Sequence, residues 1–185
     1  MTRQSDFILS ILNNKQNGIY LEVGSGHYKD MNNTYILEKE YGWSGLGIEI
    51  NSDLSLKYNL NRNNKCINSD ALTIDYRKYL LDLSLSKRID YLQIDIDDDP
   101  HHANLLGLIN VPLNEYRFNV ITFEHDLVRS HKFKEMRDAQ REILDSLGYV
   151  LVVPGNAEDW WVDGTELDYE KYSWAYETYQ QAMAH

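Results

Sequence analysis

The sequence predicts an α/β fold, a mostly parallel sheet of about seven strands with helices on both faces. Three observations predict it. Apolar runs of strand length alternate with longer segments of helical period, as βα units do. A Gly-x-Gly turn, Gly24-Ser25-Gly26, joins the first such run to the first such helix. The chain has 185 residues, 43% of them hydrophobic, enough for one core and too few for two. We therefore expect a single domain over 1–185, with an N-terminal helix within 1–17 and a C-terminal helix over 166–183.

Each element has its own signal. Residues 3–16 carry Phe7, Ile8, Ile11 and Leu12 at helical spacing, and Asn17-Gly18 stops that helix. GIYLEV (18–23) reads as a buried strand, and MNNTYILEKEYG (31–42) as a helix closed by Gly42. SGLGIEI (44–50) is the second strand, NSDLSLKYNLNR (51–62) a helix with an Asn or Ser cap, and KCINSDA (65–71) a short third strand. IDYLQIDID (89–97) runs as a fourth strand into an acidic turn, and HHANLLGLI (101–109) follows as a helix. RFNVITFEHD (117–126) is the fifth strand. A charged helix over 131–147 ends at Gly148, YVLVV (149–153) is the sixth strand, and WWV (160–162) is short enough for an edge strand antiparallel to it. This order of elements resembles the Rossmann-like outline of the class I methyltransferases.

Composition narrows the setting. The net charge is −11, and no block of Lys and Arg could track a phosphate backbone, so nucleic acid is not an expected partner. No apolar run reaches a membrane span, no leader pattern opens the chain, and Cys66 is the only cysteine, which together point to a cytoplasmic protein without disulfides.

Gly24 and Gly26 stand where small residues let a backbone approach a ligand. Glu49 closes the second strand 25 positions after Gly24, near the ~20-residue offset at which a carboxylate takes ribose hydroxyls. Asp70 ends the third strand at the same rim and could accept from an adenine amino group. Three successive strand ends bearing Gly-x-Gly, Glu and Asp point to a nucleotide or S-adenosylmethionine.

The stretch YLEVGSGHYKDMNNTYILEKEYGWSGLGIEIN resembles the opening of the FkbM-type methyltransferases: a G-x-G loop, then Asn33-Thr34, Leu37-Glu38, Gly42-Trp43-x-Gly45 and an acidic strand end at Glu49. IDYLQIDID, YRFNVITFEHD and AEDWWV resemble later blocks, so the likeness covers most of 19–163. By that resemblance Glu22, Gly24, Gly26, Glu49 and Asp70 bind S-adenosylmethionine, Ser69 and Ala71 flank its adenine, and Asp95 lies near its methionine end. The acceptor it implies is a sugar hydroxyl on a glycan. Where members have an acidic-Gly-x-Glu turn, this chain has Asp97-Asp98-Asp99-Pro100.

Asp95, Asp97, Asp98 and Asp99 end the fourth strand, and Glu124, His125 and Asp126 the fifth. Strand alternation puts Glu124 and Asp126 on one face and His125 on the other. An anion such as Asp95 suits the sulfonium, and an alcohol acceptor needs a base within ~2.6–3.2 Å. His125 suits this role by its ordinary pKa near ~6.5, with Asp97 or Asp126 as substitutes. A divalent cation on Asp97, Asp98 and Asp126 is a further option, as are a cofactor-binding module without turnover and a metal-dependent hydrolase. Trp160 and Trp161, beside Glu158 and Asp159, either cover the sheet edge or form a platform for a sugar ring, and the tyrosines of 169–179 read as packing.

Overall fold

The computed structural model describes residues 3–84, 87–96, 102–165 and Trp174. Seven strands form one sheet in the order β3-β2-β1-β4-β5-β7-β6. β1 (Ile19–Val23), β2 (Ser44–Glu49), β3 (Lys65–Asn68), β4 (Arg88–Ile94) and β5 (Arg117–Glu124) run parallel, and β7 (Glu158–Asp163) runs antiparallel to β5 and to β6 (Tyr149–Pro154). Parallel strands buried on both faces read as near-continuous apolar runs, and IYLEV and RIDYLQI do so.

Two packed layers sandwich the sheet. On one face α1 (Arg3–Ile11) and α2 (Asn33–Tyr41) bury Phe7, Ile8, Ile11 and Leu37 against Tyr20, Tyr91, Val120, Trp160 and Val162. α3 (Ser52–Asn61) joins this face, with Tyr58 Oη 2.9 Å from Tyr20 Oη. On the other face α4 (Tyr76–Leu83), α5 (Ala103–Asn110) and α6 (Lys134–Ser146) cover Leu21, Val23, Leu92, Ile94, Ile121 and Phe123. The motif Gly42-Trp43-x-Gly45 is a packing device. Gly42 ends α2 in the left-handed region at φ 69°, Trp43 is buried, and a Cβ at Gly45 would strike the Tyr20 ring.

Four sequence expectations change. α4 was not foreseen. β3 stops at Asn68, so Asp70 stands in the turn beyond the strand, where its Oδ1 accepts from the Leu72 amide at 2.8 Å. β7 lies inside the sheet between β5 and β6, so WWV is no edge strand. Trp160 and Trp161 are 3% and 2% exposed, which removes them as a sugar platform. The expected C-terminal helix and Tyr169–Tyr179 packing fall outside the described residues, apart from Trp174.

Candidate functional site

The carboxyl ends of β1, β2 and β4 open onto a cleft of about 580 Å³, within the ~300–1,000 Å³ range of ligand pockets. Its wall includes Gly24, Gly26, Glu49, Ser69, Asp70, Ala71 and Asp95, seven of the eight expected cofactor residues. Glu22 is the exception. It is fully buried beneath the loop, accepting from Asn32 Nδ2 at 2.9 Å and Thr34 Oγ1 at 3.1 Å, so it supports the wall instead of reaching the cleft. Burial pushes its carboxyl up to about 7, against the pull of Arg62.

The two loop glycines do different jobs. Gly24 has φ 82°, and a Cβ there would strike the backbone carbonyl of Asp95, so this glycine lets β1 and β4 approach each other. Gly26 has φ 55°, and a Cβ there would meet nothing within 4 Å, because it faces the open cleft. The amide of Gly26 donates to Glu49 Oε2 at 2.8 Å, and the amide of Asn51 donates to Glu49 Oε1, also at 2.8 Å. Each oxygen keeps a second acceptor site for hydroxyl groups. Ile50, Leu54, Ala71 and Leu72 add an apolar stretch of wall suited to a flat aromatic base. An adenosyl cofactor fits these features: space beside a glycine, a carboxylate with spare acceptor sites and an apolar slot. Among the described residues no Lys or Arg lines the cleft.

Beyond Asp95 the rim is polar and acidic. β4 and β5 are neighbours, and Glu124 stands opposite Glu158 in the β5–β7 register. Asp95 is set by two backbone anchors: its amide donates to Val23 O at 2.9 Å, and the next amide, of Ile96, donates to Asn104 Oδ1 at 2.6 Å. Burial and its hydrogen bond to Asp95 hold the Glu124 carboxyl far above the ordinary range, so it keeps its proton at neutral pH. Burial takes Glu158 up to about 7, with Asp95 adding to the rise. On this α1 face Gln4 donates to Glu158 and accepts from Asn33 Nδ2 at 2.7 Å and Tyr91 Oη at 3.0 Å, and Gln93 donates to Asp95 Oδ2 at 3.4 Å. Gln4, Asn33, Gln93, Glu124 and Glu158 were not foreseen as one group, because they meet only through strand pairing and the seating of α1.

His125 lies on the opposite face and is fully buried. Its Nδ1 accepts from the Leu127 amide at 3.2 Å, which leaves the proton on Nε2, 3.6 Å from Asp159 Oδ1. Asp159 is gripped by Arg141 from α6 at 2.7 and 2.8 Å. The expectation that His125 acts as base is therefore corrected: α6 seals its face of the sheet, and it does not line the cleft. Asp126, 7% exposed, holds a 2.9 Å ion pair with Arg129 near the acidic rim. Asp97, Asp98, Asp99 and His101 lie outside the described residues. Among the described residues no group of three His, Cys, Asp or Glu side chains is placed to hold a metal ion, and no helix is long and apolar enough to cross a membrane.

The strand order, the reversed β7 and a cleft at the carboxyl ends of β1, β2 and β4 define the class I methyltransferase fold. Solved structures with this fold include a candidate caffeoyl-CoA O-methyltransferase from Staphylococcus aureus, at 14% identity and TM-score 0.57 over 89% of this chain and 84% of that one. A TehB-like SAM-dependent methyltransferase from Corynebacterium glutamicum aligns at 13% identity and TM-score 0.52, over 88% of each chain. A candidate rRNA-methylase from Clostridium thermocellum aligns at 10% identity and TM-score 0.56, over 86% of this chain and 93% of that one. No family model and no curated protein sequence matches the chain.

Proposed function

We propose that the chain is an S-adenosylmethionine-dependent O-methyltransferase of the FkbM type, acting on a sugar hydroxyl. The observation that carries the cofactor is the pairing of Gly26 with Glu49 across an open cleft, in a fold shared with SAM-dependent methyltransferases. Glu49 binds the ribose hydroxyls. Asp70, with Ser69 and Ala71, holds the adenine, and Asp95 faces the positive end of the cofactor. When bound, S-adenosylmethionine supplies an electrophilic methyl group. The chain orients the acceptor and takes up its proton, work worth roughly 10²–10⁴ in rate for a well-placed base.

Asp95 replaces His125 as the proposed proton acceptor, because Asp95 lines the cleft and His125 does not. Glu124 donates to Asp95 and orients it, and Asp126, paired with Arg129 and outside the cleft wall, adds negative charge beside Glu124. Gln93, the one amide side chain of the α1-face group that lines the cleft, supports a polyhydroxy acceptor by offering both a donor and an acceptor. Calorimetric titration with S-adenosylhomocysteine tests the cofactor, and release of S-adenosylhomocysteine from S-adenosylmethionine in the presence of glycans tests the acceptor. No heat of binding would sink the whole reading. Binding with turnover on a non-carbohydrate acceptor would sink only the sugar.

A further inference from the structure

Asn33-Thr34 and Leu37-Glu38, motif residues on α2, stay outside the cleft wall. Thr34 and Glu38 converge instead on one buried guanidinium. Arg62, the residue that ends α3, has a side chain with no solvent exposure. Its Nε donates to Glu38 Oε2 at 2.7 Å, and its Nη2 donates to Tyr20 Oη at 3.0 Å and Thr34 Oγ1 at 3.1 Å. Nη1 donates to the Tyr28 carbonyl at 3.0 Å and Asn32 Oδ1 at 3.1 Å. The guanidinium lies over the Tyr58 ring, 4.5 Å from its centroid. The next two residues serve the same anchor: the Asn63 amide donates to Glu38 Oε1 at 2.8 Å and Asn64 Nδ2 to Glu38 Oε2 at 2.9 Å.

Tyr28 and Asn32 bracket the segment that carries Asp30 and Met31 along the cleft, and His27, also in the wall, directly precedes it. Asn32 in turn donates to the Ser25 carbonyl at 3.1 Å and to Glu22 Oε1. One nitrogen of Arg62 thus holds two points of a loop that has little regular structure of its own. Against Glu38 the planar fork is fixed in direction, which a lysine could not reproduce.

We propose that Arg62 is a positioning residue for the cofactor cleft: by clamping Tyr28 and Asn32 it sets the shape of the 27–32 loop, although it never touches the cleft itself. The claim rests on the S-adenosylmethionine reading for its affinity arm and is independent of it for its dynamic arm.

The test compares wild type, Arg62→Lys and Glu38→Gln by amide hydrogen exchange without cofactor and by calorimetry with S-adenosylhomocysteine. Exchange of the 28–31 amides should accelerate in both variants while the β1, β4 and β5 amides keep their protection. Affinity should fall roughly tenfold in Arg62→Lys, the loss of about one well-placed hydrogen bond. Methylguanidinium added to Arg62→Gly should restore part of the loop protection, which a general loss of packing would not allow. Unchanged loop exchange and affinity in a folded Arg62→Lys overturn the proposal. If Arg62→Lys does not fold, Glu38→Gln decides, with a smaller effect in the same direction expected and wild-type behaviour again overturning it. If wild type binds no S-adenosylhomocysteine, the functional reading fails, and the exchange arm still judges Arg62.

Discussion

Glu49 Oε2 accepts the Gly26 amide at 2.8 Å, so the end of β2 and the glycine loop after β1 form one unit before any ligand arrives. Glu49→Gln keeps the side-chain size but offers a single acceptor oxygen where two backbone amides donate. Because its NH2 must face either the Gly26 or the Asn51 amide, it should lower the melting temperature by a few degrees and weaken S-adenosylhomocysteine binding by about 1–3 kcal/mol, the range for charge-assisted hydrogen bonds. Calorimetry on the folded variant reads the outcome, and wild-type affinity would remove Glu49 from the ribose site.

Gly24 and Gly26 should separate folding from binding. A Cβ at Gly24 strikes the Asp95 carbonyl, so Gly24→Ala should prise β1 from β4 and cost several degrees of thermal stability. A Cβ at Gly26 meets open space, so Gly26→Ala should fold, with only the ~1–2 kcal/mol strain of a left-handed residue, yet lose affinity by crowding the cofactor. Paired melting and binding curves give the answer. Equal losses in both properties for both variants would contradict this division.

His125→Ala should behave as a core mutation. It opens a cavity beside Asp159 and leaves the Leu127 amide without its acceptor, a loss of about 1–3 kcal/mol in denaturant unfolding. The pH profile of methylation should keep its shape. An acidic limb that vanishes in this variant would return His125 to the chemistry.

Glu22 gives stability a pH signature. Its folded pKa of about 7 lies above the ordinary glutamate value of 4.5, so the folded state holds the proton more tightly than the unfolded chain. Its contribution is fully present below about 4.5 and is lost as pH rises toward about 7, by an amount on the order of 3 kcal/mol. Glu158, also raised to about 7, adds to the same window. In Glu22→Gln the fall in unfolding free energy between pH 5 and 7 should shrink, as measured by urea titration at each pH. A slope identical to wild type would mean that Glu22 does not titrate there.

The sheet was legible because β1, β2, β4 and β5 are buried on both faces and read as apolar runs between turn signals. Strand alternation also placed His125 opposite Glu124 and Asp126. What covers each face was not legible. α6 brings Arg141 over His125, and α2 with Arg62 encloses Glu22, through contacts distant in sequence. α4 escaped notice because YRKYLLDL is eight residues long and buries only Tyr76 and Leu80. The interior place of β7 is a matter of topology, and WWV alone does not carry it.

The reversed strand also governs the order of assembly. Among the described residues β6 hydrogen-bonds to β7 alone, and β7 is the last strand, wedged between two that precede it. As the chain leaves the ribosome, β5 keeps an unpaired margin and β6 has no partner until Glu158–Asp163 has emerged. A stop codon after Ala157 would therefore delete one strand from the gene product and two from the sheet, leaving the Glu124 rim without its wall.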